Sequence, residues 1–323
     1  MKLGVFTVLF QNIGFEEMLD KVQEYGLQTV ELGTGNYPPN AHCNPEELLS
    51  DNAKLKAFEE ALKKRDITIS GLSCHGNPLH PNKEFAEKNH KVWRDTVLLA
   101  QKLNIDTIIT FSGCPGGSET DKYPNWITCP WPEDFSKALK WQWEEKVIPY
   151  WKKEAEFAVN HGIKKIAFEM HPNFVVYNPE TLLKLRDNVG DIIGANFDPS
   201  HLIWQGVDII KAIKVLGQQN AIYHFHAKDV FIDQSNVDVN GILDTKPYSD
   251  IAERSWTFRT VGYGNGYTYW KNIISMLRVV GYEGAISIEH EDALASIDEG
   301  FKKAVEFLKD IIFKEQPGQM WWA

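Results

Sequence analysis

Residues 165–201 read KIAFEMHPNFVVYNPETLLKLRDNVGDIIGANFDPSH, and the order of signals within them decides the fold. KIAFEMH (165–171) is apolar and aromatic and too short for a helix, the pattern of a parallel strand buried on both faces. Asn178-Pro179-Glu180 then supplies an N-cap, a proline at the first helical position and an acid in the first turn, which together start a helix. IGANFD (193–198) returns as a second buried strand. Glu169 and Asp198 stand where these two apolar runs stop.

The same unit recurs in both directions. Strand-like runs occur at 2–7, 29–34, 67–75, 107–113, 165–171, 193–198, 222–228 and 285–291, eight in all. Helical spacing lies between them, as in Phe15, Met18, Leu19, Val22 and Tyr25 before Gly26, or Trp270, Ile273, Ile274 and Leu277 before Gly281. Eight strand-helix units without a composition break predict one (β/α)₈ TIM barrel spanning 1–323 as a single domain. A doubly wound sheet is the competing layout, but only a closed barrel brings polar residues after strands five to eight round one mouth. The segments 114–135 and 229–266 exceed ordinary connections, so long loops after strands four and seven are expected over that mouth. The C-terminal PGQMWWA is expected to pack as an aromatic patch.

With 323 residues, 43% of them hydrophobic, the chain can bury a barrel-sized core. A net charge of −10 and a pI near 5.5 argue against binding to nucleic acid or to an anionic membrane. No apolar run approaches the ~20 residues of a membrane helix. Cys43, Cys74, Cys114 and Cys129 form no C-x-x-C pair, and MKLGVFTVLF lacks a basic region and a cleavage site, so the expected location is the cytoplasm.

Glu169 in KIAFEMHP, Asp198 in IGANFDPSH, His226 in IYHFHAKD and Glu289 in AISIEHED form a constellation at consecutive strand ends. A lone carboxylate at such a place more often caps a helix or joins a salt bridge. Four suitable ligands converging on the catalytic face of a barrel instead predict a metal site. Three carboxylates and one imidazole suit a hard divalent ion, Mn²⁺ first, with Mg²⁺, Co²⁺ or Zn²⁺ as alternatives.

Taken together, FEMHP, NFDPSH, HFHAKD and SIEHED resemble the xylose-isomerase-like TIM-barrel superfamily, the sugar phosphate isomerase/epimerase group that includes the ketose 3-epimerases and, more distantly, endonuclease IV. The resemblance covers essentially the whole chain. It implies one divalent metal held by Glu169, Asp198, His226 and Glu289, a substrate contact at His201 in the D-x-x-H segment, and a substrate-binding arginine after strand seven, matched here by Arg259. His75 in SCHGNP and Lys228, facing the same way as His226, are further candidates for binding substrate oxygens. Second readings stand beside these: His201 as a partner of Asp198, and His75 as a loop contact. His224, one step deeper, reads as a hydrogen-bonded core histidine. Trp126, Trp131 and Trp256 could stack on sugar faces or simply pack a lid.

The chemistry expected of this set is proton abstraction next to a carbonyl through a metal-bound enediolate, with Glu169 and Glu289 as the acid-base pair. Return of the proton to the same carbon gives an epimerase; delivery to its neighbour gives an aldose-ketose isomerase. The alternative is a lyase that eliminates from 3-keto-glycosides after the same deprotonation. An endonuclease IV-like nuclease lacks support, because strand four ends in Ser112 rather than a histidine and Asp229 is followed by Val230-Phe231. A non-catalytic sugar-binding barrel gives no reason for four converging ligands. The expected partner is a small sugar or keto-sugar, and the chain is compatible with a homo-oligomer.

Overall fold

Each of the eight strand-like runs becomes a barrel strand, shortened where polar residues end the apolar run. A computed structural model describes residues 1–323. The strands are β1 (Lys2–Phe6), β2 (Thr29–Gly33), β3 (Thr68–Ser73), β4 (Thr107–Thr110), β5 (Lys165–Glu169), β6 (Ile193–Phe197), β7 (Ile222–Ala227), β8 (Asp229–Ile232), β9 (Trp256–Arg259) and β10 (Ala285–Ile288). The closed sheet runs β1-β10-β7-β6-β5-β4-β3-β2, and every adjacent pair is parallel. Closure requires β1 and β2 to approach closely. A Cβ at Gly4 would lie 2.6 Å from the Thr29 carbonyl oxygen, so only glycine fits there.

The helices bury their apolar stripes against the outside of this barrel. Met18, Leu19 and Val22 are fully buried on helix 15–24, and Gly26, at φ +60°, ends it in a left-handed turn that L side chains avoid. The Asn178 side chain accepts from the Thr181 N–H at 2.9 Å and Thr181 Oγ1 reciprocates, so helix 179–189 starts with the capping box that the Asn-Pro-Glu signal foreshadows. One cluster of 64 buried apolar residues joins helices to strands.

The barrel interior near the mouth is polar instead. Glu31, Ser73, Glu169, Asn196, His224, His226 and Ser287 are each at most 3% exposed and fill the space that branched apolar side chains usually occupy.

Two expectations need correction. The 229–266 segment is not a plain loop: β8 and β9 pair antiparallel, with Asp229 opposite Arg259 and Ile232 opposite Trp256, and a helix at 234–240 follows β8. Four-residue strands separated by residues 233–255 carry no hairpin turn signal, which hid the ribbon from sequence reading. The second correction concerns the C-terminus. Trp321 and Trp322 are 87% and 69% exposed and meet each other edge to face rather than packing on the barrel. The 114–135 segment does remain irregular up to the helix beginning at Glu133, and the buried Gln142 amide ties it down by donating to the carbonyls of Pro115, Gly116 and Asn125.

The ribbon is pinned by one carboxylate. Asp229 is fully buried and accepts from the backbone N–H groups of Val230, Gly262, Gly264 and Asn265, from Asn265 Nδ2 and from the Trp270 indole, at 2.7–3.1 Å. Asp229→Ala strands these donors, at about 1–3 kcal/mol for each one left buried without an acceptor. The expected result is a loss of at least ~3 kcal/mol in urea unfolding. Hydrogen exchange should rise in 229–266 before it rises in the barrel strands.

Candidate active site

The barrel brings the four strand-end residues together. Glu169 ends β5, Asp198 follows β6, His226 lies within β7 and Glu289 follows β10, and one potential ligand atom from each falls within 4.8 Å of the others. His226 Nδ1 is 2.9 Å from Glu289 Oε2 and 3.3 Å from Glu169 Oε2, but neither contact is aligned as a hydrogen bond. Asp198 caps the short helix 199–203 through Oδ1, which accepts from the Ser200 N–H at 2.8 Å, and its buried Oδ2, 3.2 Å from Lys228 Nζ, makes no aligned hydrogen bond. Buried polar atoms are rarely left unpaired. Here the unsatisfied His226 nitrogen and Asp198 oxygen belong to one cluster of carboxylates, and that donor set suits a hard divalent cation.

Beneath the cluster, Glu31 fixes His226. The His226 Nε2–H donates to Glu31, with contacts of 2.8 and 3.0 Å to its two oxygens, so Nδ1 is the nitrogen turned toward the other carboxylates. A histidine ligand held through its second nitrogen by a carboxylate is oriented and made more basic. Glu31 also accepts from Ser73 Oγ and, at 2.8 Å, from Ser287 Oγ. Burial opposes ionisation of Glu31, but His226 and His224 outweigh it and hold its carboxyl below the ordinary range. Burial likewise favours neutral His226, yet the Glu31 and Glu289 carboxylates raise it well above the usual imidazole value.

Lys228 sits in the same charged cavity, 3.2 Å from Asp198 Oδ2, 3.0 Å from Glu289 Oε2 and 3.2 Å from Glu291 Oε2. Burial alone would depress its ammonium, and the surrounding carboxylates raise it well above the usual range instead. For Glu289 the same balance runs the other way: burial disfavours the anion, but Lys228 and His226 hold the carboxyl far below its usual range. Glu169 is also buried, and His75, His201 and His226 keep it well below the usual value. Both glutamates are therefore ionised at neutral pH.

His75 Nε2 lies 3.0 Å from Glu169 Oε2, and His201 Nε2 lies 3.1 Å from Glu169 Oε1 and 3.3 Å from Asp198 Oδ2. Both expected histidines are thus at the cluster. Arg259 is not: it sits on β9, where its Nε reaches both oxygens of Asp292 at 3.2 Å, and it lines an adjoining cavity. Trp256 stacks on Trp204 at 4.8 Å and is 6% exposed, Trp126 packs edge-on to Tyr177, and Trp131 stands 76% exposed. The aromatic walls of the cleft are Phe6, Tyr37 and Phe111. His224 is a core residue, 2.9 Å from Asn196 Oδ1 and 3.0 Å from Ser70 Oγ.

Sequence reading passed over Glu31, Asn196, His171 and Glu291. His171 and Glu291 each lie two residues beyond a candidate ligand, Glu169 or Glu289, and line the same cleft, so the two-residue alternation of extended chain could have found them. Glu31 and Asn196 carried a subtler signal, an acid and an amide inside strands whose other residues are all buried.

A family model described as a xylose isomerase-like TIM barrel matches residues 19–311. The chain belongs to that family. Bacillus subtilis (strain 168) YfiH, itself uncharacterised, is 42% identical over 314 residues, covering 97% of this chain and 99% of that one. Among solved structures, a D-tagatose 3-epimerase-like protein superposes with a TM-score of 0.63 at 20% identity, covering 96% of this chain and 98% of that one. The IolI protein with a bound zinc atom superposes with a TM-score of 0.64 at 16% identity, covering 98% of this chain and all (100%) of that one. At these identities the two structures speak for the fold.

The buried histidine beneath the cluster sets a pH dependence. Burial, the largest influence, pushes His224 down to about 4 from an ordinary value of 6.5. A base with a depressed folded pKa gives stability that is present above its unfolded pKa and is lost as pH falls toward the folded value. Stability of the metal-free protein should therefore drop by ~2 kcal/mol between pH 7 and pH 5 from this residue. His226, with its raised pKa, works the other way: its folded form already holds the proton that its unfolded form takes up as pH falls from 7 to 5, so it offsets up to ~1 kcal/mol of that drop. Urea midpoints at the two pH values check this, and His224→Gln should flatten the dependence.

Proposed function

We propose that this chain is a divalent-metal-dependent isomerase or epimerase acting on a sugar or keto-sugar by proton abstraction next to a carbonyl. The observation that carries the reading is the buried cluster of Glu169, Asp198, His226 and Glu289, in which Asp198 Oδ2 and His226 Nδ1 make no aligned hydrogen bond. A divalent ion bound by these four residues would supply Lewis-acid polarisation and charge stabilisation for the substrate oxygens. Mn²⁺ fits the three-carboxylate, one-imidazole set best.

The chain's own groups then divide the remaining work. Glu169 and Glu289 are ionised carboxylates reaching the cluster from β5 and β10, and either can take the proton on the carbon beside the carbonyl. If the other returns a proton to the opposite face of that carbon, its configuration inverts. His75 and His201, both in contact with Glu169, are placed to hold that carboxylate and to meet a substrate hydroxyl. The Lys228 ammonium balances Glu289 and can donate to a substrate oxygen. Phe6, Tyr37 and Phe111 line the cleft and keep water from the reacting carbon. The D-tagatose 3-epimerase-like neighbour supports a small sugar as the substrate class, and the zinc in the IolI neighbour supports a metal in this cleft.

A second reading has an observation of its own. The cleft, about 240 Å³, opens beside a second cavity of about 400 Å³, so a substrate larger than a free sugar has room. Elimination from a 3-keto-glycoside would begin with the same proton removal. The electrons of that C–H bond would form the double bond to the anomeric carbon, and the aglycone would leave as its alcohol after protonation.

Metal content is the first test. We expect one divalent ion per chain by elemental analysis, and a loss of metal in His226→Ala and Asp198→Ala while circular dichroism shows the barrel intact. Full occupancy in both variants would remove these residues from the coordination set. The acid-base assignment is tested by Glu169→Gln and Glu289→Gln after each has been reloaded with metal. Turnover should fall by at least ~10²-fold, as for a lost general base. One variant should still exchange substrate C–H with solvent without completing inversion. Near-normal turnover in both reloaded variants would leave the two glutamates structural.

A further inference from the structure

We infer that the cavity beside the metal cleft is a second substrate subsite that takes an uncharged, apolar substituent carried by the sugar, with an aryl group as the type case. The inference rests on the reading of the first cleft as a sugar site, and it adds the kind of sugar. His171 and Glu291 line both cavities, so the two are lobes of one cleft. Phe258 of β9 forms the shared flank: its ring lies 4.6 Å from Lys228 Nζ and 5.3 Å, edge-on, from the His201 ring. A group bonded to a sugar in the first lobe can therefore reach the second.

The second lobe is built by the ribbon and by the segment after Glu289. Tyr248, Ile251, Phe258, Ala293 and Leu294 supply its apolar surface. Tyr248 and Leu294 are 59% and 60% exposed, so two large apolar side chains are left in water around one concavity. The Tyr248 and Phe258 rings lie nearly parallel, with centroids 5.8 Å apart and an interplanar angle of 24°.

The charged groups at the lobe are already engaged with each other. Asp292 accepts from Arg259 Nε, from the Thr260 N–H at 2.7 Å and from the Leu294 N–H at 2.8 Å, while Glu291 pairs with Lys228 at 3.2 Å. An anionic substituent such as a phosphate would meet the Asp292 and Glu291 carboxylates beside Arg259. A second sugar ring would find few free partners for its hydroxyls, and unpaired buried hydroxyls are costly. An apolar ring needs none. At about 400 Å³ the lobe falls within the size range of small-molecule sites.

The test compares phenyl β-D-glucopyranoside with methyl β-D-glucopyranoside on the metal-loaded full chain, by calorimetry and ligand-observed NMR, with phenol as a third probe. The phenyl glucoside should bind at least tenfold more tightly than the methyl glucoside. That preference should vanish in Leu294→Asp and in Tyr248→Ser, with the methyl glucoside's affinity unchanged. Both positions are exposed, so neither substitution threatens folding. Equal affinities in the wild type, a preference untouched by either substitution, or no binding of phenol or of either glucoside overturns the subsite. If phenol binds and Leu294→Asp abolishes that binding while no sugar exchanges protons with solvent, the lobe stands and the sugar-processing reading falls.

Discussion

The contact between Glu31 and His226, both fully buried inside the barrel, governs the geometry of everything above it. A carboxylate at that depth is tolerated only because Ser73, Ser287 and His226 all donate to it. Its effect is directional. With Nε2 committed to Glu31, the His226 ring can offer only Nδ1 to the mouth, where Glu169, Asp198 and Glu289 converge. Replacing this polar interior with branched aliphatics would be neutral or stabilising in a barrel selected for stability alone. Its presence at the catalytic end of the strands is what a barrel selected for chemistry would show.

The electrostatics above that contact are a balance in which no member is independent. Glu169, Asp198, Glu289 and Glu291 crowd around Lys228 and His226, and each cation's raised pKa mirrors the lowered pKa of a carboxylate beside it. A divalent ion entering this site would take over part of the neutralising role of Lys228 and of the His226 proton, leaving the ammonium free for a substrate oxygen. The ribbon of β8 and β9, anchored by Asp229 and clamped by the Arg259–Asp292 pair, adds the second lobe to this centre without altering it.

The barrel was legible because each strand is an apolar run cut off by a polar residue, and eight such runs close only one way. The four candidate ligands were legible for the same reason: Glu169, Asp198, His226 and Glu289 stand at those cut-off points. Glu31 was not, because a single acid within TVELG resembles a chance polar residue until closure brings β2 across the barrel from β7. Arg259 rests on the family resemblance, which implies an arginine after strand seven; the ribbon places it beside Asp292, on the adjoining cavity and not at the cluster itself. The exposed C-terminal tryptophans show the remaining limit, since aromatic composition gives no information on where a surface for them lies.

The most direct test of the account is isotopic. Metal-loaded protein should be incubated in D₂O with a panel of ketoses, inososes and 3-keto-glycosides, and products analysed by NMR and mass spectrometry. The account predicts deuterium at the carbon next to the carbonyl in at least one substrate, abolished by EDTA and restored by Mn²⁺. Turnover that persists in EDTA, or that proceeds without taking up solvent deuterium at that carbon in substrate or product, would contradict it.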